Sequence, residues 1–252
     1  MRVGKMMGEC PWRPCKLSNF FPQKLYSGLR ATLPSRCLLC GAAAGDALAC
    51  PGCRNEMPRL VSACPRCALP TRDDAVCGDC FVKPPPLREA IAAFRYAFPV
   101  DRMVQALKYG GELAVADWFG AALARAVAHR HDPRAPGAGV IIALPLAPAR
   151  QRHRGFNHAR EIARCVAADL DLRCTGGLRR TRDTPPQASL PWAARARNMR
   201  GAFTATRRFD GQRVALVDDV MTTGATLHAA ARALRHAGAA SVDAWVVART
   251  LR

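Results

Sequence analysis

Aromatic residues are scarce in this chain, at 6% of 252 residues, and acids are half as frequent as bases: 19 Asp and Glu against 38 Lys and Arg. Few aromatics means few flat platforms on which unpaired nucleic-acid bases could stack. No run reaches the roughly 18 consecutive apolar residues of a membrane span, so no membrane-spanning segment is expected. The first 36 residues carry scattered charge (Arg2, Lys5, Glu9, Arg13, Lys16) and no apolar stretch of the secretory kind, which leads to the expectation of a cytoplasmic protein. There is no GxxxxGK[ST] loop and no dinucleotide-binding glycine fingerprint. No cysteine follows the initiator Met, so an N-terminal glutaminase is not expected. Hydrophobic residues, in contrast, make up 50% of the chain, which excludes wholesale disorder.

Lysine is also rare: 33 of the 38 basic residues are Arg. A compositional bias towards Arg, Ala and Pro accounts for part of this. The distribution asks for more. Between Ala147 and Arg208 stand 14 Arg and four acids (Glu161, Asp169, Asp171, Asp183), a net +10 in 62 residues. Such a block repels itself unless an anion visits it, and phosphate groups are the obvious visitors.

Three regions follow in order. Residues 1–36 show no periodicity and are broken by Pro11, Pro14, Pro22 and Pro34, so a weakly ordered leader is expected. Residues 37–83 are rich in cysteine and poor in long apolar runs. The stiff Pro84-Pro85-Pro86 then suggests a boundary. Residues 87–252 alternate strand and helix signals. Strands are expected at Ile91–Phe98, Val140–Leu144, Val214–Val217 and Ala244–Ala248. Helices are expected at Val104–Lys108, Glu112–Arg130, Ala159–Leu170 and from Leu227 to a stop near Gly238. Continuous apolar strands separated by helices predict an α/β domain with a parallel sheet.

Of the 12 cysteines, eight form four CxxC pairs: Cys37/Cys40, Cys50/Cys53, Cys64/Cys67 and Cys77/Cys80. A CxxC turn aims two thiolates at one point, and a tetrahedral zinc needs two such turns. Two structural zinc ions are therefore expected, supplying folding energy that so short a segment cannot obtain from a core. Sequential pairing, which gives two zinc ribbons, is favoured over an interleaved cross-brace, and the spacing leaves both open. Disulfides do not suit a reducing compartment. An iron–sulfur cluster is a further alternative.

The sharpest motif is Val214-Ala-Leu-Val-Asp218-Asp219-Val-Met-Thr222-Thr223-Gly224-Ala225-Thr226. A buried strand ends in two acids, at the strand end where open α/β sheets bind ligands. A Thr/Gly loop then opens a helix, whose N–H groups and dipole, with the threonine hydroxyls, can cradle a phosphate. Acids suited to vicinal hydroxyls beside a phosphate cradle ask for a phosphorylated sugar. Further along the basic block, Arg150, Arg152 and Arg154 precede Gly155 and Asn157 and are expected on a loop that meets pyrophosphate. Arg179, Arg180 and Arg182 open a basic, proline-broken stretch containing Trp192, expected as a lid or a nucleic-acid contact.

The acid–threonine motif resembles the phosphoribosyl pyrophosphate (PRPP) motif of type I phosphoribosyltransferases. That resemblance implies that Asp218 and Asp219 hold the ribose hydroxyls and act as the catalytic pair, while Thr222, Thr223, Gly224, Ala225 and Thr226 hold the 5′-phosphate of Mg2+-bound PRPP. Together with Arg154-Gly155-Phe156-Asn157, Arg180-Thr-Arg-Asp-Thr-Pro-Pro-Gln187, Lys108-Tyr109 and the four CxxC pairs, it makes residues 37–252 similar to the ComF family. The resemblance implies a zinc ribbon module ahead of a phosphoribosyltransferase fold. It implies a role in uptake of single-stranded DNA during natural transformation, with PRPP, single-stranded DNA and competence-machinery proteins as partners. It also implies Lys108 at the PRPP site. Two alternatives stay open: an active, amidophosphoribosyltransferase-like enzyme, and a PRPP-sensing regulator. No residue pattern marks a pocket for an acceptor.

Overall fold

The computed structural model describes residues 35–45, 47–131, 139–182, 199 and 201–251. The leader up to residue 34, Trp192 and the rest of the 183–198 stretch lie outside the described residues. Two compact units result, one ending at Asn55 and one running Glu56–Arg252.

In the first unit, strands β1 (Ser35–Arg36) and β2 (Ala43–Gly45) pair antiparallel, and a short helix α1 (Pro51–Asn55) follows. Gly41, at φ +74°, lets the chain reverse between them. The Gly41 N–H donates to the Cys37 carbonyl at 2.9 Å, and the Cys37 N–H donates to Ala42 at 2.7 Å. These bonds wrap the first CxxC turn.

The second unit is built on a five-stranded, all-parallel sheet in the order β3-β9-β8-β4-β5. Its strands are β3 (Glu89–Arg95), β4 (Val140–Ala143), β5 (Arg173–Cys174), β8 (Arg213–Met221) and β9 (Ser241–Arg249). Helix α2 (Gly78–Val82) precedes the sheet. Helices α3 (Val100–Gln105), α4 (Leu113–Arg130), α5 (Pro148–Arg154), α6 (His158–Asp169) and α7 (Ala225–His236) connect its strands. A separate antiparallel pair, β6 (Leu178–Arg180) with β7 (Phe203–Ala205), lies outside this sheet. Eight consecutive residues of β9 are buried, as expected of a strand covered by helices on both faces. The α/β class with a parallel sheet is therefore observed.

Several elements differ from the sequence expectation. The first strand stops at Arg95, because the chain turns into α3 and leaves Phe98 exposed. Strand β8 runs on through the acid pair to Met221, since Asp218, Val220 and Met221 still register with Val246, Ala248 and Arg249 on β9. Arg150, Arg152 and Arg154 lie on a helix, not a loop. Pro148 sits near its start, where a missing N–H costs nothing, and Gly155 ends it at φ +75°. The spacing i, i+2, i+4 therefore puts Arg150 and Arg154 on one face and turns the exposed Arg152 to another.

The second pair of CxxC turns belongs to the same unit as the sheet. Residues 58–65 run along the outer edge of β3. The Leu60 N–H donates to Ala93, the Ala90 N–H to Pro65 and the Arg95 N–H to Pro58, at 3.1, 2.7 and 2.8 Å. This covers a strand edge that would otherwise be open to another chain. Arg130, the last residue of α4, adds an ion pair to Asp74 at 2.9 Å and a bond to the Ala63 carbonyl at 3.0 Å.

Candidate functional site

The eight cysteines gather as two tetrads, Cys37/Cys40/Cys50/Cys53 and Cys64/Cys67/Cys77/Cys80, with the sulfurs of each set within 4.8 Å of one another. The pairing is therefore sequential. The donor set can be tested against zinc by geometry. Four sulfurs about 2.3 Å from a tetrahedral ion stand about 3.8 Å apart. The Cys40–Cys50 sulfurs are 3.7 Å apart and the Cys67–Cys77 sulfurs 3.6 Å, so both tetrads fit the ion. In the second tetrad the Cys77 N–H also points at the Cys64 sulfur at 3.4 Å, a bond that favours thiolate over thiol.

At the carboxyl end of β8, Asp219 is buried and Asp218 half-buried. A π-helical turn, Ala106–Gly110, follows α3 and places Lys108 in an ion pair with Asp219. Such turns insert one residue into a helix and recur at functional sites. On the other side, His158 is buried at the start of α6. Its Nε2 lies 3.5 Å from Asp219 Oδ2 and its Nδ1 lies 3.3 Å from Arg154 Nη1. A guanidinium only donates, so Nδ1 must accept, and the ring proton sits on Nε2, facing Asp219. The Arg154 guanidinium also stacks 5.2 Å over the exposed Tyr109 ring.

These neighbours separate the two acids. Burial works against ionisation of Asp219, yet Lys108 and His158 outweigh it and hold the carboxyl below the usual carboxylate range. Burial, with the charge of Asp219 beside it, pushes Asp218 up to about 7. Burial also opposes the charge on Lys108, and the two acids more than restore it. His158, Asp218 and Asp219 bring polar atoms within 4.8 Å of one another, and with both His158 nitrogens engaged it is the two carboxylates that suit a hard divalent cation.

Thr222 to Thr226 follow directly. Gly224 stands at φ +78°, where a Cβ would come within 2.7 Å of Met221 Cε and 2.9 Å of His228 Nε2, so the loop needs glycine there. Thr223 Oγ1 accepts from the Ala225 N–H at 3.2 Å. Behind the loop, Arg249 is buried at 2% exposure. It donates to the carbonyls of Met221, Thr222 and Thr250 through Nη1, and to that of Cys67 through Nε at 2.7 Å. In a trans peptide the N–H points away from the carbonyl, so pinning the Thr222 carbonyl turns the Thr223 N–H to the opposite side. The loop thus leaves the Thr223 N–H, turned away from Arg249, and the N-terminus of α7 for an anion.

The structure brings Lys108, Arg154, Asp218 and Asp219 together, with the Thr222–Thr226 loop following from the acids. Arg150 shares the face of Arg154, and its Nη2 is buried without a hydrogen-bond partner among the described residues. The β6 pleat separates Arg179 from Arg180. Arg179 and Arg182 are exposed, whereas Arg180 is buried over the Phe203 ring at 5.7 Å. Arg180 is thus not presented to a strand of nucleic acid. Sequence reasoning missed His158 and Arg249. Asn157 signals the helix start, its side chain accepting from the Ala159 N–H at 3.0 Å, so His158 is placed by that cap. No local signal marks Arg249.

Comparison with known proteins yields two domain matches: a double zinc ribbon domain over residues 28–81 and a phosphoribosyl transferase domain over residues 154–251. DNA utilization protein YhgH of Escherichia coli O6:H1 is 33% identical over 227 residues, covering 87% of this chain and 99% of that protein. Competence protein F of Haemophilus influenzae is 29% identical, covering 79% and 90%. Competence protein ComFC of Bacillus subtilis is 27% identical, covering 81% and 85%.

Proposed function

Since this chain belongs to the ComF family of DNA utilization and competence proteins, with a double zinc ribbon ahead of a phosphoribosyltransferase domain, we propose that it binds PRPP with Mg2+ and serves the handling of single-stranded DNA in transformation. The observation that carries the PRPP half is the acid pair at the end of β8 followed by the Gly224 loop. In this reading Asp218 and Asp219 accept the ribose hydroxyls, and the Thr222–Thr226 loop holds the 5′-phosphate. Arg150 and Arg154 face the pyrophosphate, with Lys108 beside the acids. When bound, Mg2+ supplies charge neutralisation at the pyrophosphate, and the carboxylates of Asp218 and Asp219 are the oxygen donors that fit it. The two tetrads would each hold a structural zinc. The DNA half draws on the names of the relatives and on the net charge of +19.

Calorimetry with PRPP and Mg2+ tests the first half. Replacing both acids by Asn removes charge from groups whose hydrogen bonds contribute about 1.5–3 kcal/mol each. Affinity should fall at least roughly tenfold, and an unchanged affinity in the folded double variant would show that the motif binds something else.

A second reading, an active transferase, is supported by the cationic surround of the acids: Lys108 against Asp219, with Arg154 beside His158. Such a surround suits a departing pyrophosphate. Pyrophosphate release from PRPP with ammonia or a panel of nucleobases decides it.

A further inference from the structure

A groove of about 560 Å³ opens at the opposite end of the sheet from the acid pair, and Arg66, Arg88, Arg232, Arg235, His236 and Ser241 are among its lining residues. Its lining includes no acid and no Phe, Tyr or Trp. Arg66 stands between Cys64 and Cys67, Arg88 leads into β3, and Ser241 begins β9. Arg232, Arg235 and His236 share one exposed face of α7. Because the strands are parallel, the starts of β3 and β9 lie at the edge away from the end of β8.

The charges here are mostly uncompensated. Asp243 neutralises Arg88 through two bonds of 2.8 and 2.6 Å. Among the described residues Arg66 reaches only the Leu87 carbonyl, and Arg235 the carbonyls of Ala239 and Ala240, and a carbonyl leaves the guanidinium charge in place. Arg232 and His236 have no ion-pair or hydrogen-bond partner among the described residues. Ser241 Oγ is buried and likewise unpartnered. The C-terminus of α7 itself disfavours anions, but the N–H groups of Ala237, Gly238 and Ala239 cap the carbonyls of Ala233, Leu234 and Arg235 there.

A concave surface with three uncancelled guanidinium groups, no acid and no Phe, Tyr or Trp platform favours contacts to phosphates over stacking of bases. The geometry points to this groove as a track for the phosphodiester backbone of single-stranded DNA, separate from the PRPP site and shared between the Cys64–Cys67 turn and the sheet. It rests on the reading that the protein handles DNA.

The test is fluorescence anisotropy of a labelled oligothymidylate with the full-length protein across a salt series. For single strands, log K falls with log salt by about 0.7 per neutralised phosphate. The double variant Arg66→Gln, Arg232→Gln should shallow that slope by about 1.4, two contacts at about 0.7 each. Arg232→Glu, on an exposed residue with no partner to lose, should weaken binding further at low salt. In the wild-type protein, saturating PRPP with Mg2+ should leave DNA affinity unchanged. An unaltered slope in variants that unfold at the wild-type midpoint overturns the groove while leaving DNA binding intact. Competition by PRPP does the same, as does displacement of the oligonucleotide by inorganic phosphate at equal charge. Absence of DNA binding by the wild-type protein at low salt overturns both the groove and the DNA reading.

Discussion

Arg249 donates to the carbonyl of Cys67 across 182 positions of sequence, at 2.7 Å. The same guanidinium holds the Met221 and Thr222 carbonyls, so one buried side chain ties a cysteine turn to the loop after β8. A buried carbonyl left without its donor costs about 1–3 kcal/mol. Arg249→Met should therefore lower stability by several kcal/mol in urea titration. Arg249→Lys, which keeps the charge but not the fork, should recover only part of the loss. PRPP affinity should fall in both. A stable Arg249→Met protein with normal PRPP affinity would show that the loop holds its shape unaided.

The tetrads should respond differently to loss of ligand. Elemental analysis should find close to two zinc ions per chain, one for each set of four sulfurs. Replacing Cys64 and Cys67 by Ser removes a turn bonded to β9 through Arg249 and next to the edge of β3. The thermal midpoint of the sheet should drop with it. Replacing Cys50 and Cys53 touches the unit that ends at Asn55, and the midpoint of the sheet should hold. Equal effects of the two double variants on the sheet, or a colourless well-folded protein without metal, would contradict this arrangement.

What was legible in the sequence is what depends on neighbours along the chain. The CxxC turns, the strand that ends in Asp218-Asp219, and the glycine required by a positive φ at Gly224 all announce themselves within a dozen residues. Helix α5 was legible in principle, since Pro148 and Gly155 bracket it, but three arginines beside a glycine look equally like a solvated turn. Other relationships are out of reach because they join distant segments. Nothing near Lys108 shows that a π turn will deliver it to Asp219, and nothing near Arg88 shows Asp243, 155 residues away. The prolines at 84–86 interrupt the pattern locally, whereas the bonds from Ala90 to Pro65 and from Arg95 to Pro58 are formed only when the sheet is.

His158 bridges the acid site and α5, with its proton aimed at Asp219. His158→Phe keeps a flat ring but can neither donate to Asp219 nor accept from Arg154. Asp219 then keeps only the Lys108 ion pair and the Val220 N–H, which donates to its Oδ1 at 2.7 Å, among the described residues. PRPP affinity should fall about tenfold, equivalent to about 1.4 kcal/mol. His158→Gln, which can still donate and accept, should retain more of it. If Phe and Gln behave alike, and both like the wild type, His158 merely fills space.

The pH dependence of stability should contain two opposing contributions. Burial, reinforced by Arg232 and Arg249, pulls the His228 imidazole down to about 4. An unfolded histidine titrates near 6.5. Between those values the unfolded chain binds more protons than the folded one, so this contribution is complete above about pH 6.5. It is lost as pH falls towards 4, amounting to at most about 3 kcal/mol. Asp218, raised to about 7, has the opposite sign: the folded state keeps a proton that the unfolded state has released, so its contribution is present in acid and disappears as pH rises through 7. The wild-type profile between about pH 4 and 6.5 should consequently be nearly flat. Single variants separate the two. His228→Gln should be left with a stability that falls as pH rises, and Asp218→Asn with one that climbs, by at most about 1.4 kcal/mol per pH unit in either direction. Urea titrations at each pH without added Mg2+ measure this directly. Parallel profiles for both variants would mean that neither group changes its proton affinity on folding.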